Sequence, residues 1–233
     1  MNNLKQLSLA AVLIATASSA SAEIIYQESF EGGTLGPNTV LSGQGNVGDE
    51  AFFEILPSGS LNLAYTPTGA DGTSYVGGRD LNANFGGQSG DSAERLVNIT
   101  GVDISGFTDI VLKVALSARN GNRFEETDYI EISAGDGSLS SLDKFTGPAG
   151  ASGVLSNGPV NLGVAFQDLS YTIADGITID ARVQAWVNGG GESLAIDNIR
   201  IEGTRIPEPA SLALVGLGLA GVALRRRRGK GER

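Results

Sequence analysis

Three acidic residues near the middle of the chain have a spacing that could support acid–base chemistry. Glu126, Asp128 and Glu131 fit the pattern Glu-x-Asp-x-x-Glu. Paired carboxylates are what glycoside hydrolysis needs, because one acts as nucleophile and the other as general acid. Strand alternation places Glu126 and Asp128 on one face and Glu131 on the other unless a bulge intervenes. The alternative is that Glu125, Glu126 and Asp128 belong to a solvated turn and that Glu131 faces water.

The same stretch resembles the catalytic strand of laminarinase-type retaining glycosidases, which are also β-sandwiches. The resemblance implies Glu126 as nucleophile and Glu131 as general acid. The chain departs from that pattern at Thr127 and Tyr129, where apolar residues are expected, and its only tryptophan is Trp186. We therefore expect no enzyme, and keep a secreted, glycan-active enzyme as the alternative. Trp186 and Tyr129 are expected to pack in the core or at a strand edge, with a sugar-binding face as their other use.

Composition narrows the chemistry further. The chain contains no histidine and no cysteine, which excludes Ser-His-Asp and Cys-His catalysis, His-ligated zinc and disulfides. Nine of the 16 basic residues and 24 of the 26 acidic residues lie between Glu23 and Ile206, so this segment has a net charge of −15. Such a surface repels nucleic acid and anionic membranes and could attract calcium.

Two short stretches at the ends of this segment contain acids among apolar residues. They are Glu28-Ser29-Phe30-Glu31-Gly32 and Ala195-Ile196-Asp197-Asn198-Ile199-Arg200-Ile201. The pairing is similar to that of MAM-like and carbohydrate-binding jelly rolls. The resemblance implies that the first and last strands lie together and that acids near these positions hold a structural calcium.

Strand alternation gives a separate reason to look for a cation there. It places Glu28 and Asp197 each on an otherwise apolar face, with Ile24, Tyr26 and Phe30 in the first stretch and Ala195, Ile199 and Ile201 in the last. A carboxylate on a buried face needs a metal, a cation or several donors. We therefore predict a calcium site whose ligands are Glu28 or Glu31, Asp197 and loop carbonyls. The alternative is that these acids are hydrated, or bonded to backbone amides, at strand ends.

The C-terminal stretch has three features in a fixed order. A helix breaker comes first, then an uncharged, largely apolar run at 210–224, then an arginine cluster; the breaker is Pro207, Glu208 and Pro209, and the cluster is Arg225, Arg226, Arg227 and Arg228. Fifteen residues rise about 22 Å as a helix, close to spanning a roughly 30 Å hydrocarbon core once the arginine stems extend it. Clustered arginines remain on the cytoplasmic side. The combination, in residues 206–233, resembles the PEP-CTERM sorting signal of exported bacterial proteins.

The N-terminal stretch predicts export as well. Residues 1–22 have a positive Lys5, a mostly apolar run and a small-residue cleavage site at Ala20-Ser21-Ala22, so the mature chain is expected to begin at Glu23. The resemblance at the other end implies a transient inner-membrane anchor that an exosortase-type enzyme removes near the Pro-Glu-Pro. We therefore expect a cell-surface or extracellular-matrix protein that binds exopolysaccharide and does not bind nucleic acid.

The central segment, residues 23–205, reads as one all-β domain. Short apolar runs separated by Gly, Asn, Asp and Ser predict about ten strands, at 24–30, 51–56, 61–65, 95–99, 110–118, 129–133, 160–166, 169–173, 177–187 and 193–201. We expect a two-sheet antiparallel sandwich of jelly-roll type between a signal-peptide helix and a transmembrane helix. Residues 40–50 and 69–92 are expected to be long glycine-rich loops.

Overall fold

The computed structural model describes residues 21–47, 51–60, 62–81, 95–119, 123–207 and 218. Within these ranges the chain forms twelve β-strands and one short 3-10 turn, Glu31–Gly33, in two antiparallel sheets. The predicted all-β sandwich is confirmed. None of the helical structure in these ranges is long and apolar enough to cross a membrane. The predicted membrane segment at 210–224 lies outside the described residues except for residue 218, and so does the predicted signal peptide except for its last two residues.

The larger sheet contains seven strands. They are β1 (Ala22–Glu28), β3 (Gly45–Val47), β4 (Ala51–Pro57), β5 (Ser74–Arg79), β7 (Phe107–Ala118), β10 (Gln167–Thr172) and β12 (Ser193–Arg205). Six of them follow the order β10-β7-β12-β5-β4-β3. Strand β7 pairs along one edge of β12, whereas the opposite edge pairs first with β5 and then with β1. The first and last strands therefore lie together, as predicted.

The smaller sheet contains five strands. They are β2 (Thr39–Ser42), β6 (Arg95–Asp103), β8 (Tyr129–Gly135), β9 (Ser140–Thr146) and β11 (Thr178–Trp186). Their order is β2-β6-β11-β8-β9, so β11 is the central strand. Every second residue of β11 therefore points to the outer face of this sheet and the others point to the space between the sheets.

The main core lies between the sheets, where the alternating apolar residues of β7 and β11 meet. The inward residues are almost completely buried: Ile110, Leu112, Val114 and Leu116 on β7, and Ile179, Ala181, Val183 and Ala185 on β11. Burying a Leu, Ile or Val side chain contributes about 1.5–3 kcal/mol relative to leaving it exposed. These two alternating runs therefore supply much of the driving force that holds the sheets together.

A second apolar cluster covers part of the outer face of the larger sheet. It contains Phe52, Leu56, Leu63, Tyr75 and Ala195, with Phe166 packed against it. Two stretches predicted as strands supply this cover instead of pairing in a sheet. Residues 62–65 form bends, and residues 160–166 are irregular with isolated bridges. The strand prediction was wrong for both stretches, because their apolar residues are buried by packing and not by pairing. Leu63 and Phe166 join the outer cluster, whereas Leu162 is buried in the main core.

The two stretches expected to be glycine-rich loops also differ from expectation. Residues 40–50 contain the end of β2 and all of β3, and residues 69–92 contain β5. Gly77 on β5 lies against Leu56, and a Cβ atom there would overlap Leu56 Cδ1. Glycine serves here to admit a neighbouring side chain, not to form a turn.

Candidate functional site

An aromatic pair lies on the outer face of the smaller sheet. Trp186 on β11 is opposite Tyr129 on β8, at the end of the sheet where β8 begins. Both side chains are partly exposed, and neither belongs to the clusters that form the core. The two side chains therefore do not pack in the core, which was one of the two positions expected for them, and the position at a strand edge stays a prediction. Their partly exposed rings leave apolar surface on the outer face of the smaller sheet.

Polar side chains surround the aromatic pair. Gln184 Nε2 donates to the Tyr129 hydroxyl at 2.7 Å. Lys144 on β9 lies with its Nζ 4.1 Å from the centre of the Tyr129 ring and 3.5 Å from the Glu131 carboxylate. A cation over an aromatic ring is held by the electrons of the ring face. The ring is thereby fixed in position, and donors and acceptors lie beside it.

The polar surface continues along β11 toward its first residue. Arg182 Nε donates to Asn98 Oδ1 on β6 at 2.9 Å. Beside this pair is an open depression of about 390 Å³, lined in part by Thr100, Gly137 and Asp180. We call the outer side chains of Tyr129, Glu131, Lys144, Asn98, Arg182, Gln184 and Trp186 the aromatic–polar face. It combines apolar rings with a few oriented polar groups, as ligand sites do.

Sequence reasoning missed most of this face, although a signal for it was present. In residues 177–187 the apolar side chains alternate, and Ile179, Ala181, Val183 and Ala185 fall on one face. The intervening residues must then point outward on the opposite face, and they include Arg182, Gln184 and Trp186. What the sequence alone does not show is which strands pair with β11 and bring Asn98, Tyr129 and Lys144 beside these residues.

The first predicted calcium ligand, Glu28, is buried at the end of β1. Its Oε1 accepts the N–H of Phe30 at 2.9 Å and its Oε2 accepts the N–H of Gly36 at 2.7 Å. Phe30 has a left-handed backbone with φ 58°, which bulky residues seldom adopt. The Glu28 carboxylate thus holds the chain as it turns out of β1.

Glu31, the second predicted ligand, holds the loop that precedes β5. Its carboxylate accepts the Thr73 hydroxyl at 2.6 Å and the N–H groups of Thr73 and Ser74 at 2.8 and 3.1 Å. Hydrogen bonds from Thr73 lower the pKa of Glu31. The same loop reaches the third predicted ligand, because the N–H of Asp71 donates to Asp197 Oδ2 at 2.8 Å. The structure therefore brings Glu31 and Asp197 to one loop.

Asp197 is fully buried on β12. Its Oδ1 accepts the N–H of Asn198 at 2.7 Å. Burial raises the pKa of Asp197 to about 7, and the negative charges of Asp71 and Glu31 also raise it. A buried carboxylate beside two others is the arrangement that a divalent cation would stabilise.

The alternation expected around these acids is wrong, because each strand contains a bulge. On β1 the register shifts between Ile24 and Tyr26, and Ile24 is 54% exposed. On β12 the register shifts after Asp197, where Asn198 has φ 46°. An extra residue reverses the alternation that follows. Asp197 consequently lies on the outer side of the larger sheet with Ala195, while Ile199 and Ile201 face the main core.

All three acids accept hydrogen bonds from backbone amides in the structure. Among the residues that the structure describes, no group of three acidic side chains is arranged to hold a metal ion. Glu31 and Asp197 could contribute oxygen ligands together with the loop around Asp71, whereas both oxygens of Glu28 are bonded within its own turn. The calcium site stays a prediction.

The acids considered for catalysis lie in different settings. Glu126 is exposed in the turn before β8 and lines a depression of about 360 Å³ with Glu125, Thr127 and residues 150–152. Glu131 lies on β8 within the aromatic–polar face, beside Lys144. The glycosidase resemblance would require Glu126 and Glu131 to lie on one regular strand, and they do not.

Asp128, assigned by the sequence to a solvated turn, is instead fully buried. It accepts the N–H of Glu125 and the N–H of Asn188. The buried Glu192 accepts the same Asn188 N–H, at 2.9 Å, and that of Gly189. Burial raises the pKa of both carboxyls, and the charge of Asp128 raises the pKa of Glu192 further. The two carboxyls hold the turn between β11 and β12, next to Trp186.

The predicted processing residues lie mostly outside the described residues. Ala22 and Glu23 begin β1, and Ala22 is opposite Thr204 on β12. Pro207 follows the last strand. Ala20, Glu208, Pro209 and the four arginines at 225–228 lie outside the described residues.

Similarities to solved structures are distant. The K1 cleaved adhesin domain of Lys-gingipain from Porphyromonas gingivalis W83 is 13% identical over 78% of this chain and 97% of that one, with a TM-score of 0.47. The CBM22-1 xylan-binding domain of Xyn10C from Paenibacillus barcinonensis is 11% identical over 82% and 100%, with a TM-score of 0.42. A cyclase from Fischerella sp. TAU is 16% identical over 80% and 100%, with a TM-score of 0.48. None of these similarities assigns a function to this chain.

The C-terminal motif is identified directly. No curated protein matches the chain, but residues 205–228 match the family model of the PEP-CTERM protein-sorting motif. The match begins at Arg205, the last residue of β12, and includes the Pro-Glu-Pro and the four arginines. Such a motif implies export, a C-terminal membrane anchor before processing, and exosortase-type machinery. The chain is thus a β-sandwich protein that carries a PEP-CTERM sorting motif.

Proposed function

We propose that this protein is a non-catalytic cell-surface or extracellular-matrix protein that binds exopolysaccharide through the aromatic–polar face. The observation that carries the proposal is the placement of Trp186 opposite Tyr129 on an outer sheet face. Two partly exposed rings on neighbouring strands offer apolar surface to a sugar, while Gln184, Arg182 and Glu131 offer hydrogen bonds. The sorting motif supports the location, because an exported protein meets surface polysaccharide.

The acidic surface of the domain argues against nucleic acid as an alternative partner. With a net charge of −15 between Glu23 and Ile206, the domain repels the phosphate backbone of nucleic acids, whose binding depends on basic residues. We therefore propose no nucleic-acid partner. The processing partner is an exosortase-type enzyme, and the inner membrane is a transient anchor.

Calcium is proposed as a structural ion. Three observations support it: Asp197 is completely buried, Glu31 and Asp71 lie close enough to raise its pKa, and one loop joins them. Carboxylate and carbonyl oxygens are the ligands that calcium takes. The ion would pin the loop before β5 to the last strand, and so stabilise the sandwich without entering the aromatic–polar face.

The proposal is tested by measuring binding and turnover together. The purified Glu23–Ile206 domain is incubated with β-glucans and other exopolysaccharides, with and without calcium. Saturable binding without new reducing ends is the expected result. Release of product that disappears in Glu126→Gln would contradict the proposal and favour the glycan-active enzyme. Lack of binding to every polysaccharide would also reject it.

A further inference from the structure

Both processing junctions of the chain lie at the same end of the sandwich. Strand β1 begins at Ala22, opposite Thr204 near the end of β12. Strand β12 ends at Arg205, and the N–H of Ile206 still donates to the carbonyl of Gly106 at 2.9 Å. The chain is therefore held in the fold up to Ile206. We call this end, formed by residues 104–107, Ile177, Arg205 and Ile206, the exit pole.

The exit pole exposes large apolar side chains. Ile177 is 69% exposed and Ile206 is 48% exposed. Both are bonded to the turn at residues 104–107. The N–H of Ile104 donates to the Ile177 carbonyl at 2.9 Å, and the carbonyl of Gly106 accepts the N–H of Ile206. Phe107 completes this turn, with the Arg205 guanidinium 5.0 Å from its ring centre. A single exposed isoleucine is ordinary, but these two flank the point where an anchor leaves the domain.

The short length of chain between Ile206 and the apolar run limits how far the exit pole can lie from the membrane. Only Pro207, Glu208 and Pro209 separate Ile206 from the uncharged run that begins at Ala210. Four residue steps extend at most about 14 Å. The headgroup layer on each side of the hydrocarbon core is roughly 5–8 Å thick. When that run lies in the bilayer, the exit pole cannot stand far from the lipid surface.

Because of the charges at this end, the exit pole should contact the lipid surface only while the C-terminal segment anchors the chain. Several acids lie at this end of the domain. Around the first residue of β11 are Asp103 and Asp136, and the loop that leads to β11 contains Asp175. Glu23 forms an ion pair with Arg205 at 3.2 Å. These acids oppose binding to anionic headgroups. The apolar pair alone is small, so the free domain should leave the membrane once the tail is cut.

We propose that, before the tail is removed, the exit pole rests on the phospholipid surface with Ile177 and Ile206 in its interfacial layer. This inference rests on the membrane anchoring that is part of the proposed function. Strand β11 runs away from this pole, and its eight residue steps from Thr178 to Trp186 span about 26 Å. The anchored protein therefore presents Trp186 and Tyr129 away from the lipid, toward polysaccharide.

Site-specific labelling of the full-length chain in phospholipid vesicles tests this orientation. The chain has no cysteine, so Ile177→Cys and Ser152→Cys each accept one environment-sensitive fluorophore. Ser152 is exposed and lies near the strand ends that carry Trp186 and Tyr129, which makes it the matched control. Spin-labelled lipids should quench the probe at residue 177 at least threefold more than the probe at residue 152.

The outcomes separate this inference from the anchoring on which it rests. Chain that stays with the vesicles after alkaline washing but is quenched equally at both positions would overturn the orientation and leave the anchor intact. Chain that does not stay with the vesicles would reject the anchor, and the orientation with it. Because the quencher is attached to the lipids, strong quenching at residue 177 reports contact with lipid.

Discussion

Tyr129 and Trp186 occupy directly opposed positions on β8 and β11, and their side chains share the outer face of the smaller sheet. The Tyr129 hydroxyl is bonded to Gln184, and Lys144 lies over its ring. The two aromatic side chains therefore form part of an ordered surface.

Removing the Tyr129 ring should weaken binding, whereas removing only its hydroxyl should not. Tyr129→Ala is expected to weaken exopolysaccharide binding at least tenfold, or about 1.4 kcal/mol, because a stacking surface is lost. Tyr129→Phe keeps the ring and should stay within threefold of the original protein. Affinity measured by titration on both variants checks this, and an equal loss in the two would show that the ring is not the binding element.

Calcium should stabilise the domain through Asp197. At a concentration 100 times its dissociation constant, a bound ion adds about 2.7 kcal/mol, which raises Tm by roughly 5–10 °C for a domain of this size. Asp197→Asn should abolish this rise, and Asp175→Asn, at an exposed loop acid, should keep it. If a chelator leaves Tm unchanged under conditions that would strip a bound ion, the calcium proposal fails.

Without calcium, protonation of Asp197 should contribute to the pH dependence of the free energy of unfolding. Its pKa is raised from 3.8 to about 7 in the fold, so the folded state holds a proton that the unfolded chain has lost. Stability therefore falls as pH rises from about 4 to 7. Asp128 and Glu192, whose pKa values are also raised, act in the same direction. Urea unfolding in chelator at several pH values should show a shallower fall for Asp197→Asn, and an unchanged slope would contradict the assignment.

The bulge on β12 should depend on the backbone of Asn198. With φ 46°, this position suits Asn or Gly and opposes β-branched residues. Asn198→Val should therefore destabilise the domain by about 1–3 kcal/mol. Asn198→Gly should cost less, since it loses only the bond from Gln27 Nε2 at 3.0 Å. Denaturant midpoints for the two variants measure this difference, and similar losses would show that strain at this residue is unimportant.

Regular alternation made much of the fold predictable. The apolar residues that alternate in 110–116 and 179–187 are buried as expected, whereas Ile177, expected on the same face, is 69% exposed. The first and last strands were also expected to be neighbours, and they are. Prediction failed where alternation was broken, because the extra residues on β1 and β12 reverse which side chains face the core. It also failed at Gly77, where a glycine in a strand looks like a turn residue.

The candidate site was less predictable because it depends on which strands are neighbours. Trp186 and Tyr129 are 57 positions apart in the sequence and adjacent only through the β8–β11 ladder. Asp128 was misplaced for a related reason. Its burial depends on the distant turn at Asn188, which local polarity does not reveal.

Binding by the Trp186→Ala variant tests the central proposal most directly. Phe107→Ala is the matched control, since Phe107 is also partly exposed but lies at the exit pole. Both variants of the Glu23–Ile206 domain are titrated with the exopolysaccharide that the original domain binds, and reducing ends are assayed in parallel. We expect at least a tenfold weaker affinity for Trp186→Ala, unchanged affinity for Phe107→Ala and no new reducing ends. Full affinity in Trp186→Ala with intact folding would contradict it.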